Sequence, residues 1–118
     1  MRKLLAFIAV FEAATGVALL LVPSSVAQLL LGAEIAGVAA AMARVAGIGL
    51  LALGVACWPR KEPTHALLVV ILTYNVLVTI LFLYIGIFGA TVGSLLWPAT
   101  VVHAILTVLL ARGAHRVW

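Results

Sequence analysis

The stretch AEIAGVAAAMARVAGIGLLALGVACW, Ala33 to Trp58, is long enough to cross a bilayer and carries a single interior charge, Arg44. No other feature restricts the possible folds as sharply. A guanidinium at the centre of a bilayer costs about 2.5–3.5 kcal/mol on insertion scales. The fold must therefore offer it a carboxylate, a set of carbonyls, water or a bound anion. The residues around Arg44 are small, Gly37, Ala40, Ala43, Gly47 and Gly54 among them. Small residues let helices approach closely in lipid. The expectation is a central packing helix with Arg44 held inside a bundle.

The rest of the chain points the same way. Of its 118 residues 67% are hydrophobic and 8% charged, and the mean hydropathy is +1.37. A soluble domain is nearer half apolar and a quarter charged, so this chain could not cover its core with polar surface. Lipid is the natural solvent. At about 20 residues per crossing, the length holds four spans in one membrane domain covering 1–118. The apolar runs place them at about 4–22, 33–58, 66–88 and 95–112. The fold class expected is all-α: a polytopic membrane protein, a four-transmembrane-helix bundle, with a short interfacial helix after the first span.

That short helix is PSSVAQLLLG, Pro23 to Gly32. Ser24 or Ser25 is the expected N-cap, and Gly32 the C-terminal stop. Val26, Leu29 and Leu30 make one apolar face at i, i+3 and i+4. PRKEPTH, Pro59 to His65, reads as an aqueous loop. GATVGS, Gly89 to Ser94, reads as the last turn, with Ser94 as N-cap of the fourth span. The start, MRKLLAFIAVF, has the basic residues and apolar run of a signal peptide. Glu12 interrupts that run and no small-x-small site follows, so it is read as the first span.

The formal net charge is +4 and the isoelectric point near 10.0, yet nucleic acid is not the implied partner. With four spans, Arg2, Lys3, Arg60, Lys61, Arg112 and Arg116 all fall on one side. That is the positive-inside pattern. It puts both termini in the cytoplasm, and the expected location is an inner (cytoplasmic) membrane. Trp58, Trp97 and Trp118 are the expected interfacial anchors. Cys57 is the one cysteine, which excludes an intramolecular disulfide and a Cys-rich metal motif.

Polar residues recur at matched depth. At 1.5 Å per residue, Glu12, Asn75 and His103 lie about 12–14 Å from the cytoplasmic ends of their spans. Tyr74 is close to that level, and Arg44, Thr15, Thr79 and Thr100 lie at roughly 16–21 Å. Thr100, His103 and Thr107 form a stripe at i, i+3 and i+7, as do Asn75, Thr79 and Phe82 at i, i+4 and i+7. Glu12 and Arg44 read either as a structural ion pair or as a proton-carrying carboxylate beside a ligand-binding guanidinium. His103 reads as a hydrogen-bonded core residue or as a relay to Glu12. Asn75 and Tyr74 read as interhelical hydrogen-bonding groups, and Gly16, Gly47 and Gly54 as packing sites. No metal-spaced His/Glu set, phosphate loop or catalytic triad is visible. No catalytic residue, metal or cofactor is assigned on this basis, and the enzyme question leans to the negative.

The run GVALLLVPSSVAQLLLG followed by ARVAGIGLLALGVACW resembles the DoxX-like group of small bacterial four-span proteins, DUF4345-type members included. There a first span ends at Pro, a Leu-rich segment ends in Gly, and the second span carries an Arg followed by Gly-rich turns. Arg44, Gly47 and Gly54 carry over by position. The resemblance implies a four-helix membrane bundle, and some of the group are accessory subunits of membrane redox systems that work with quinone. The small multidrug resistance transporters are similar in size, with an essential first-span carboxylate where Glu12 stands. This chain lacks their aromatic motif in span three, has a stronger Lys/Arg bias, and has an Arg44 without counterpart. Two functions are thus expected. One is a bundle that binds a small apolar or anionic ligand, quinone- or lipid-like, or serves as an accessory subunit, through a Glu12–Arg44–His103 interior. The alternative is a proton-coupled small-molecule transporter using Glu12. The partners implied are the bilayer, a small hydrophobic ligand, and a second copy of the chain or a larger membrane complex.

Overall fold

The structure, a computed structural model, describes residues 1–58 and 62–117. It is all-helical: α1 (Arg2–Leu21), α2 (Pro23–Leu31), α3 (Val38–Ala56), α4 (His65–Phe88) and α5 (Leu96–Val117). Four of these are long and apolar enough to cross a membrane. The molecule is 42 Å long, close to the ~40–45 Å of a bilayer with its headgroups. Large apolar side chains stand outward along every long helix, including Val10, Ile48, Leu77 and Val101. A helix apolar on all faces belongs in lipid or in a core, and these faces meet no protein. The chain is a small multi-pass helical membrane protein. Arg60, Lys61 and Trp118, which carry part of the expected charge and anchor pattern, lie outside the described residues.

Three helix starts differ from the sequence expectation. Helix α2 begins at Pro23 with Val22 as N-cap, because proline lacks the N–H that a first-turn residue would leave unpaired. Ser24 instead accepts a hydrogen bond on Oγ from the Ile35 amide, at 3.1 Å. Ser94 lies in a turn, and α5 begins at Leu96. Helix α3 begins only at Val38, after Gly37 at φ +59°; Ala33–Gly37, which includes Glu34, is not helical. Gly32 does stop α2, in the left-handed conformation at φ 77°. Thr64, which drew no attention in the sequence, caps α4 by accepting from the Leu67 amide at 3.1 Å.

Helix α1 packs along α3 at backbone distance. A Cβ placed on Gly16 would lie 2.6 Å from the Gly47 carbonyl oxygen, and one on Gly54 would lie 2.8 Å from that of Ala9. Helices α4 and α5 form the second pair. The pairs join at the end where both termini lie, through a core of Ile8, Ala9, Cys57, Ile71, Leu106 and Leu110. Met1 sits against Gly113 there. Toward the other end, α2 lies between the pairs.

The seat of α2 is fixed at its C-terminus. The last four carbonyls of a helix have no intrahelical donor. Here Gln28 O accepts from the Gly32 amide, Leu29 O from the Leu95 amide, and Leu30 O from the Gly93 amide. Leu31 O accepts from the Thr91 hydroxyl at 2.8 Å. Three of these four donors belong to the loop between α4 and α5, so α2 is bonded to the second helix pair although it follows α1 directly.

Candidate functional site

Glu12 is a buried carboxylate near the middle of α1, with 1% of its surface exposed. Its Oε2 accepts a hydrogen bond from the Tyr74 hydroxyl of α4 at 3.2 Å. Its Oε1 is buried and has no hydrogen-bond partner in the protein. Buried polar atoms nearly always have one, and each exception requires an explanation.

A second polar pair lies beside it. The Asn75 side-chain amide donates from Nδ2 to the Ile71 carbonyl at 2.9 Å. That orients its Oδ1 toward His103 Nδ1, also at 2.9 Å. An amide oxygen accepts only, so Nδ1 carries the proton and donates. The tautomer of His103 follows from the network, and Nε2 is left as the ring's other polar atom. Three aromatic rings, Phe11, Tyr74 and Phe82, stand edge-on to the imidazole with centroids 5.8–5.9 Å away.

These groups border a cavity of about 610 Å³, within the ~300–1,000 Å³ range of small-molecule sites. Helix α1 contributes Phe11, Glu12 and Thr15; α4 contributes Tyr74 and Phe82; α5 contributes Pro98, Val102 and His103. Val26, Leu29 and Leu30 of α2 close it with the apolar face expected from their spacing. Helix α3 contributes Leu50. The lining is otherwise apolar, and it includes no Lys or Arg. A hollow of about 630 Å³ along α1 and α3, bordered by Ala13, Val17 and Gly54, has no titratable side chain to orient a ligand.

The structure thus brings together four of the five residues expected at mid-membrane: Glu12, Tyr74, Asn75 and His103. Arg44 is not among them, which corrects the expectation of a guanidinium inside the bundle. It is exposed, and its Nε donates to the Leu20 carbonyl at 3.2 Å. Leu20 is in the last turn of α1, so Arg44 satisfies one of that helix's unpaired carbonyls. The physical reason is the face it occupies: Arg44 precedes Gly47 by three residues, on the side of α3 that lies against α1, so it meets the last turn of α1 rather than the space between the pairs. The threonines also stay out of the network. Thr15, Thr79, Thr100 and Thr107 each donate to the carbonyl four residues back, at 2.7–2.8 Å, the usual behaviour of a helical threonine.

Sequence reasoning missed the aromatic enclosure of His103. Phe82 was legible on the Asn75–Thr79 face; Phe11 had no signal beyond adjacency to Glu12. Among the described residues no cluster of three or more His, Cys, Asp or Glu is placed to hold a metal. Comparison of the chain with protein-family models, with curated proteins and with solved structures finds no match in any of the three.

Proposed function

We propose that this four-span protein binds a small, mainly apolar molecule in the cavity between its two helix pairs. Glu12 and His103 engage the ligand's polar head, and the α2 face and Phe82 cover its apolar body. One observation carries the reading: Glu12, a buried carboxylate with one oxygen unpartnered in the protein, is part of the lining of a ligand-sized apolar cavity. A quinone- or lipid-like molecule suits the lining. An anionic one would face Glu12 with no Lys or Arg in the lining to balance it.

Two further statements belong to the proposal. Membership of the DoxX-like group is one, and it rests on the sequence pattern of Pro23, Gly32, Arg44, Gly47 and Gly54 alone. Cytoplasmic termini in an inner membrane are supported by Arg2, Lys3, Arg112 and Arg116 at the end where Met1 meets Gly113.

Native mass spectrometry of the protein extracted in mild detergent tests the binding. A small bound mass is expected on the wild type and is expected to be lost from Ala99→Phe, which fills the cavity. Equal occupancy of the two proteins would refute the site. A second reading, proton-coupled transport with Glu12 as the exchanging carboxylate, is favoured by the same uncompensated acid. It requires that Glu12→Gln abolish proton-driven uptake in proteoliposomes while the fold persists.

A further inference from the structure

The outward face of α5 changes character along its length. Val101, Ile105 and Val108 are each more than half exposed. Arg112, His115 and Arg116, all exposed, follow them toward the end where both termini lie. At about 100° per residue the six fall within one sector of roughly 100°; the core residues Leu106 and Leu110 take the opposite side of the helix. The three basic side chains and Ala111 line a shallow recess of about 450 Å³ with no acidic group in it. Of the chain's three acids, Glu12 is buried in α1, Glu34 precedes α3 at the other end, and Glu62, before α4, is outside the recess. Cations in a last turn complement the helix dipole, as His115 and Arg116 do. The dipole accounts neither for Arg112, a turn earlier, nor for all three sharing one face with the aliphatic stripe.

We infer that this face of α5 holds one anionic phospholipid. Arg112 and Arg116, one turn apart, grip its phosphate, and His115 adds a ring N–H. A guanidinium matches phosphate oxygens with two parallel N–H donors. An acyl chain lies along Val108, Ile105 and Val101. From Val101 to Arg112 the rise is about 16 Å, the depth of one leaflet of a ~30 Å hydrocarbon core. The face thus offers a head site and a tail site in the proportions of a lipid, and a soluble phosphate compound would use only the first. A zwitterionic lipid fits less well, because the same two guanidinium groups repel its ammonium.

Native mass spectrometry of the intact protein in mild detergent tests this, with phosphatidylglycerol and phosphatidylcholine of equal chain length added together. Wild type is expected to retain the glycerol lipid over the choline lipid. Arg112→Gln combined with Arg116→Gln is expected to lower that ratio roughly 30-fold, about 5-fold per cation. Arg2→Gln combined with Lys3→Gln removes the same charge at the same end, outside the recess, and is expected to leave most of the preference. Equal retention of the two lipids by wild type overturns the inference. So does an equal loss in the two double variants, which would reduce the face to diffuse surface charge. Inorganic phosphate in excess is expected not to displace the lipid; displacement would show that the aliphatic stripe takes no part and overturns the lipid assignment. If the α5 double variant does not yield monodisperse protein, Arg116→Gln alone serves, with a drop of about 5-fold expected and an unchanged ratio refuting the site.

Discussion

Alanine at Gly16 and alanine at Gly49 are the same chemical change on neighbouring faces of one helix pair, and the structure separates them. At Gly16 the new Cβ would stand 2.6 Å from the Gly47 oxygen and 2.8 Å from the Leu51 nitrogen. Both are backbone atoms, so no side chain can rotate away; α1 and α3 must part. Overpacking of this kind costs about 1–3 kcal/mol. It is opposed by the helix propensity of alanine over glycine, about 0.8–1.0 kcal/mol. The expected net loss is about 0–2 kcal/mol. At Gly49 nothing lies within 4 Å of the added carbon, so only the propensity term acts and the change is stabilising. The propensity term cancels between the two variants, which are expected to differ by the overpacking term, about 1–3 kcal/mol. Reversible unfolding in mixed micelles with rising dodecyl sulfate, followed by tryptophan fluorescence, measures that gap. Gly16→Ala above wild-type stability, or Gly49→Ala as damaging as Gly16→Ala, would refute the close approach of α1 and α3.

Arg44→Gln is expected to lower stability by about 0.5–1.5 kcal/mol, one hydrogen bond to a carbonyl, rather than the ~3–5 kcal/mol of a broken buried ion pair; a thermal melt in detergent distinguishes the two. Asn75→Leu leaves the Nδ1–H of His103 buried without its acceptor, at a cost of about 1–3 kcal/mol. Nitrogen NMR of the imidazole is expected to report the loss of the fixed Nδ1–H tautomer, and an unchanged tautomer would contradict the assignment. Gly32→Ala forces a side chain into φ 77° with its Cβ 2.7 Å from the Val92 oxygen. A loss of about 2 kcal/mol or more is expected in the same unfolding assay.

The polar layer was legible because depth can be counted. Glu12, Tyr74, Asn75 and His103 are on helices with one end marked by charge or proline, and a fixed rise converts position into height. The same arithmetic gave Arg44 its depth, but a count of depth does not say which way a residue faces on its helix, and Arg44 faces outward. The second span was started too early, at Ala33, because nothing in composition reports that Gly37 takes a positive φ and delays the helix. The apolar face of α2 was readable from its spacing, but whether that face meets lipid or a cavity depends on the α4–α5 loop that bonds its carbonyls. Those bonds run from backbone amides and one threonine across some sixty residues of sequence, and no local pattern encodes them. The stripe of small residues was visible as a stripe; that Gly47 touches α1 while Gly49 touches nothing is a property of how the two helices are rotated about their axes.

The carbonyls of Leu29, Leu30 and Leu31 have their donors in residues 91–95, and this orders the events of synthesis. A chain emerges from its N-terminus first, so α1, α2 and α3 reach the bilayer before those donors have been translated. In that interval the end of α2 can be satisfied only by interfacial water. The roof of the cavity is therefore fixed late, by the arrival of the final turn, and a nascent chain halted after α4 lacks both the wall that α5 supplies and the donors that hold the roof in place.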